Sequence, residues 1–100
     1  MSDLASRLAD LASRGQTVTY GALAREMGCR VQDLTAALEA MMEEDAQAGR
    51  PLRAALCEGR LSDGLPAQGF FLKAASLGFD LSDPVAFVAD HRAGLFRRQS

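Results

Sequence analysis

Thr19-Tyr20-Gly21-Ala22-Leu23-Ala24-Arg25-Glu26-Met27-Gly28-Cys29-Arg30-Val31-Gln32-Asp33-Leu34 is the stretch on which the fold turns. Thr19 has the side chain of a helix N-cap, and Gly28 has the freedom that a helix C-terminus needs. Leu23 and Met27 stand four apart between them, with Tyr20 and Ala24 beside them, which predicts a short helix over 20–27. Cys29-Arg30 then makes a tight turn. A third helix starts at Val31: Val31, Leu34, Leu38, Met41 or Met42 and Asp45 step at three and four. Ala36, Ala37, Ala40, Ala46 and Ala48 favour the helical state, and Gly49 with Pro51 ends it. A short helix, a tight turn and a longer helix make a helix-turn-helix.

Working outward, Leu4, Leu8, Leu11 and Ala12 predict a first helix over 3–14, capped by Ser2 or Asp3 and stopped at Gly15. Gln16 to Thr19 reads as a short extended piece. After Pro51, Leu52, Ala54 and Leu56 alternate with Arg53, Ala55 and Cys57, which predicts a strand. Residues 58–69 read as a loop carrying the turn signal Ser62-Asp63-Gly64. Phe70 to Leu77 predicts a short helix, Phe79-Asp80-Leu81 is extended, and Ser82 caps a last helix with Asp83 and Pro84 in its first turn. Val85, Val88, Arg92, Leu95 and Phe96 line one side of that helix. The expected fold is therefore mainly α with a small antiparallel β wing (α+β) drawn from 52–71. It is a winged helix-turn-helix over 1–81 plus an extra C-terminal helix, 82–100, packed on it or on a partner.

The chain has 100 residues, enough for one core but not two. No apolar run reaches membrane-spanning length and residues 1–7 lack the apolar stretch of a signal peptide, so a cytoplasmic location is expected. The formal net charge is −2, and the pI near 5.3 does not suit a uniformly basic nucleic-acid binder. The charge is uneven. Residues 31–48 carry Asp33, Glu39, Glu43, Glu44 and Asp45 with no basic residue, while Arg50, Arg53 and Arg60 follow directly. Cys29, Cys57 and the single His91 have no zinc-ligand spacing, and no base or oxyanion arrangement is legible around either thiol. The expectation is a non-enzymatic protein with no metal and no cofactor.

The string Thr19-Tyr20-Gly21-Ala22-Leu23-Ala24, with Gly28 after it, resembles the start of the DNA-binding half of O6-alkylguanine-DNA alkyltransferases and alkyltransferase-like proteins. There a helix-turn-helix opens with Thr-Tyr-Gly-x-Leu/Ile-Ala and leads into an alanine-rich recognition helix. The likeness extends faintly to Gly78-Phe79-Asp80. It implies a DNA-associated winged helix, and the departures bound what else it implies. The family's Pro-Cys-His-Arg motif is replaced by Pro51-Leu52-Arg53-Ala54, so the nucleophilic cysteine and its histidine are missing. The arginine that the family inserts into the duplex to extrude a base falls at Leu34, a core position here.

Two functional readings follow. The first is a DNA-binding or DNA-associated domain that contacts double-stranded DNA through Tyr20, Arg30, Gln32, Arg53 and Arg60. Arg30 and Gln32 open the third helix, where base-edge readers sit, and Arg50, Arg53 and Arg60 flank the wing as phosphate contacts. The second is a winged helix serving as a protein-interaction or dimerisation module with no DNA binding, favoured by the acidic helix and the low pI. A positive band running from Arg30 to the wing separates the two, and Asp33 is the residue placed to interrupt it.

Overall fold

The computed structural model describes residues 2–98, with the side chains of 3–97. The elements run α1 (Ser2–Arg14), β1 (Val18–Thr19), α2 (Tyr20–Met27), α3 (Val31–Ala48), a 3-10 helix (Arg53–Leu56), β2 (Cys57–Glu58), α4 (Gln68–Ser76) and α5 (Pro84–Arg98). The protein is mainly helical with one two-stranded sheet among the described residues.

The helix-turn-helix forms by the local chemistry its sequence carries. Thr19 Oγ1 accepts the Ala22 N–H at 3.2 Å and so satisfies one of the first-turn donors of α2. Gly28 sits at φ 70° and ends α2, and the Cys29 N–H reaches back to the Ala24 carbonyl at 3.0 Å. That left-handed cap is open to glycine without strain. α3 then buries Leu34, Leu38, Met41 and Met42 on one stripe. Leu34 is fully buried, as its core position required. Leu4, Leu8 and Leu11 of α1, Leu23 of α2, Leu52, Leu56, Phe70 of α4, and Val88 and Leu95 of α5 complete a single core.

The segment after α3 differs from the strand its alternation predicts. Residues 53–56 form a 3-10 helix, with the Ala55 N–H bonded to the Leu52 carbonyl at 3.0 Å. The reason is visible in the burial. Ala54, Ala55, Leu56 and Cys57 are all buried, so no polar face alternates with an apolar one, and small alanines fit a tight turn as readily as a strand.

The sheet is likewise not an antiparallel wing within 52–71. β1 pairs with β2 in parallel, Val18 opposite Cys57 and Thr19 opposite Glu58. Parallel neighbours need a crossover between them, and here α2, α3 and the 3-10 helix supply it. Thr17 Oγ1 donates to Glu58 Oε2 at 2.7 Å beside this pair.

α5 packs against α1 and the 3-10 helix, so Val88 and Leu95 lie in this chain's own core rather than on a free face, while Val85 stays outside. Asp83, not Ser82, caps it: Asp83 Oδ1 accepts the Ala86 N–H at 3.2 Å. Two polar side chains of α5 brace the middle of the chain. His91 Nδ1 accepts the Leu52 N–H at 2.9 Å. Arg92 Nε donates to the Ala55 carbonyl at 2.7 Å and Arg92 Nη2 to the Gly64 carbonyl at 2.8 Å. No helix is long and apolar enough to cross a membrane among the described residues.

Candidate nucleic-acid interface

A shallow groove lies where the starts of α2 and α3 meet the loop after β2. Thr19, Tyr20, Gly21, Ala22, Arg25, Val31 and Arg60 line it. α2 brings its first turn, where Thr19 Oγ1 already takes the Ala22 N–H. Gly21 is exposed, and a Cβ there would meet nothing within 4 Å, so the space over that turn is open. Arg25 stands four residues on from Gly21, on the same side of the helix. Arg60 reaches the groove from the loop. Both guanidiniums are exposed, and neither takes part in an ion pair among the described residues.

Two of the five residues expected to contact DNA, Tyr20 and Arg60, line this groove. Tyr20 does so as structure. Its hydroxyl accepts the Ala67 N–H at 3.1 Å, tying α2 to the segment before α4, and burial pushes its pKa up to about 12. Arg30 and Gln32 flank the groove on either side of Val31 and are exposed. Arg30 is also the residue before α3, and its Nε lies 3.3 Å from Asp33 Oδ2. Asp33 thus partly neutralises Arg30, while Arg25 and Arg60 line the groove without an ion pair among the described residues.

Arg53 is elsewhere. Its side chain turns inward onto Asp45, with Nε at 3.0 Å from Oδ1 and Nη2 at 2.9 Å, and its backbone N–H donates to Oδ2 at 3.0 Å. Arg50 adds Nη2 at 3.1 Å from Oδ1. Asp45 is completely buried, and a buried carboxylate persists only when it is paired and hydrogen-bonded. Arg53 is therefore withdrawn from the surface by a charge it must neutralise, and cannot serve as a free phosphate contact. It opens instead on a separate cleft of about 260 Å³ lined by Ala5, Ala9 and Ala12 of α1 with Arg50 and Leu95.

Arg25 is the groove residue that the sequence reading did not single out. The available signal was its spacing: it falls four after Gly21 and three after Ala22, on the face of α2 opposite Leu23 and Ala24.

The surroundings of Cys57 are not those of a nucleophile. Cys57 is buried, and desolvation pushes its pKa up to about 12, with Arg92 opposing only in part. Cys29 is half-buried in the turn between α2 and α3. Comparison with known proteins adds no name to this arrangement: no family model, curated protein or solved structure matches the chain.

Proposed function

We propose that this protein is a small non-catalytic winged-helix domain that binds double-stranded DNA through its helix-turn-helix. In this reading the first turns of α2 and α3 and the loop after β2, residues 59–65, face the phosphates. The loop takes the place of a wing, although the sheet behind it is parallel. The observation that carries the reading is the convergence of Arg25 and Arg60 on one groove beside the first turn of α2. Helix N-termini favour anions, and arginine forks match phosphate geometry. The resemblance at Thr19 to Ala24 supports the same face.

The recognition helix limits how the domain approaches. Beyond Gln32 and Asp33, α3 exposes Ala36, Ala40, Glu43 and Glu44. Carboxylates against phosphate add repulsion, so contact is confined to the first turn. Ala36 offers no side chain to read a base edge, so affinity rests on phosphates more than on sequence.

Anisotropy of a labelled random duplex at about 50 and about 200 mM salt tests the proposal. With two to three arginine contacts, affinity is expected to fall roughly 10- to 40-fold across that range. Absence of binding at the lower salt would remove the DNA reading and leave a protein-interaction domain, which the acidic outer face of α3 would then serve.

A further inference from the structure

We infer that Leu61 is an apolar wedge that enters the minor groove of duplex DNA and opens a base step, with Arg60 clamping the adjacent phosphate. This rests on the DNA reading above and specifies how the loop 59–65 engages the duplex.

Leu61 is 93% exposed, the most exposed of the large apolar side chains among the described residues. Single exposed leucines are common on surfaces, so exposure alone decides nothing. What distinguishes Leu61 is the hydrogen-bonded closure of its loop and the arginine beside it.

The loop is closed on itself. The Gly59 N–H donates to the Leu65 carbonyl at 2.9 Å, the Ser62 N–H to the Gly59 carbonyl at 3.3 Å, and the Leu65 N–H to the Ser62 carbonyl at 2.9 Å. Asp63 and Gly64 both take positive φ, 50° and 83°, to complete the tip. Aspartate followed by glycine is a residue pair that tolerates this left-handed turn conformation. A Cβ at Gly59 would meet the Ser62 side chain, whose hydroxyl can rotate away.

The loop is then fixed to the body at two places. Arg92 of α5 holds the Gly64 carbonyl, and the Tyr20 hydroxyl holds the Ala67 N–H. Anchored this way, Leu61 is presented rather than left to collapse onto the surface. Its neighbour Arg60 faces the groove shared with Arg25 and with Val31, which is itself 47% exposed.

An apolar side chain on a hydrogen-bonded tip, beside arginines that complement phosphate, fits the way minor-groove proteins unstack a base step and bend the duplex. Preorganisation matters because unstacking costs several kcal/mol, and a floppy tip would add its own ordering cost. Asp63 at the same tip opposes phosphate approach, which orients the loop with Leu61 inward to the groove and Asp63 away from it.

The test uses the full-length protein, a duplex labelled at both ends for energy transfer, and a second duplex carrying 2-aminopurine. Wild type is expected to shorten the end-to-end distance and brighten 2-aminopurine on binding. Leu61→Ala is expected to bind roughly tenfold more weakly, with bending and brightening abolished and the salt slope unchanged. Because Leu61 is exposed, the variant should keep the wild-type melting temperature, and Leu61→Phe should restore bending. Wild type that binds without bending, or Leu61→Ala that bends the duplex as wild type does, overturns the wedge and leaves the DNA reading standing. Wild type that binds neither duplex overturns both.

Discussion

Arg53 and Arg60 stand seven positions apart on one connecting segment and carry the same charge, yet the fold gives them opposite work. Arg53 faces a carboxylate that is fully buried, and its side chain is 24% exposed. Arg60 faces solvent over a groove that has no carboxylate among its lining residues. The difference comes from α3. Asp45 falls in phase with Leu34, Leu38 and Met41, so the helix drives a charge into the core as it buries its apolar stripe. The chain must then supply cations at once, and Arg50 and Arg53 are the first after the helix ends. Arg60 lies beyond β2, out of reach of that demand. The lesson is that an arginine after an acidic helix is a surface cation only once the buried acid has been counted.

The largest effect expected is on stability. Asp45→Asn removes the charge that Arg50 and Arg53 were recruited to meet and is expected to cost about 3 kcal/mol, read by urea unfolding at neutral pH. Arg53→Gln leaves Arg50 in place and should cost less, about 2 kcal/mol. Arg60→Gln should fall within about 0.5 kcal/mol of wild type, because its side chain is exposed and makes no ion pair among the described residues. If Arg53→Gln were as harmless as Arg60→Gln, the contrast between the two would be broken.

Acid should attack the buried side first. Desolvation lowers the pKa of His91 below its ordinary 6.5, although Asp90 and Asp45 pull the other way. The neutral ring is the form that accepts the Leu52 N–H through Nδ1. A depressed folded pKa means the unfolded chain binds the proton more readily, so stability rises with pH in this window. The contribution of His91 should be complete above about pH 6.5 and fade as pH falls towards its folded value. Unfolding midpoints measured from pH 5 to 8 should show that slope, and His91→Gln should flatten it.

The smallest effect sharpens the exposed side. Asp33→Asn frees Arg30 from its 3.3 Å partner and should strengthen duplex binding roughly two- to threefold, with no change in stability beyond about 0.5 kcal/mol. Anisotropy titration checks it.

Much of this was legible before the structure. The three N-terminal helices follow from Gly15, Thr19, Gly28 and Gly49, because caps and left-handed glycines are local chemistry that neighbours cannot easily overrule. The segment 52–57 was not legible as a 3-10 helix. Its alanines suit either state, and the Asp45 carboxylate that holds the Arg53 N–H comes from a different element. Strand pairing was lost for the same reason, since the partner of Cys57 is Val18, far away in sequence. Of the site, Arg60 could be read from its loop and Arg30 and Gln32 from the helix start. The inward turn of Arg53 needed Asp45 to be recognised as a core position. Leu61 could not be read at all, because a loop has no periodicity and its anchor at the Gly64 carbonyl comes from Arg92 in the last helix.

The most direct test of the account compares the two arginines in one experiment. The dependence of duplex affinity on salt should be measured for wild type, Arg53→Gln and Arg60→Gln at a temperature where all three are folded. Arg60→Gln is expected to lower the slope of log affinity against log salt by about one, the loss of one phosphate contact, while Arg53→Gln keeps the wild-type slope. A slope reduced by Arg53→Gln and untouched by Arg60→Gln would contradict the account, and place the DNA on the other face of the molecule.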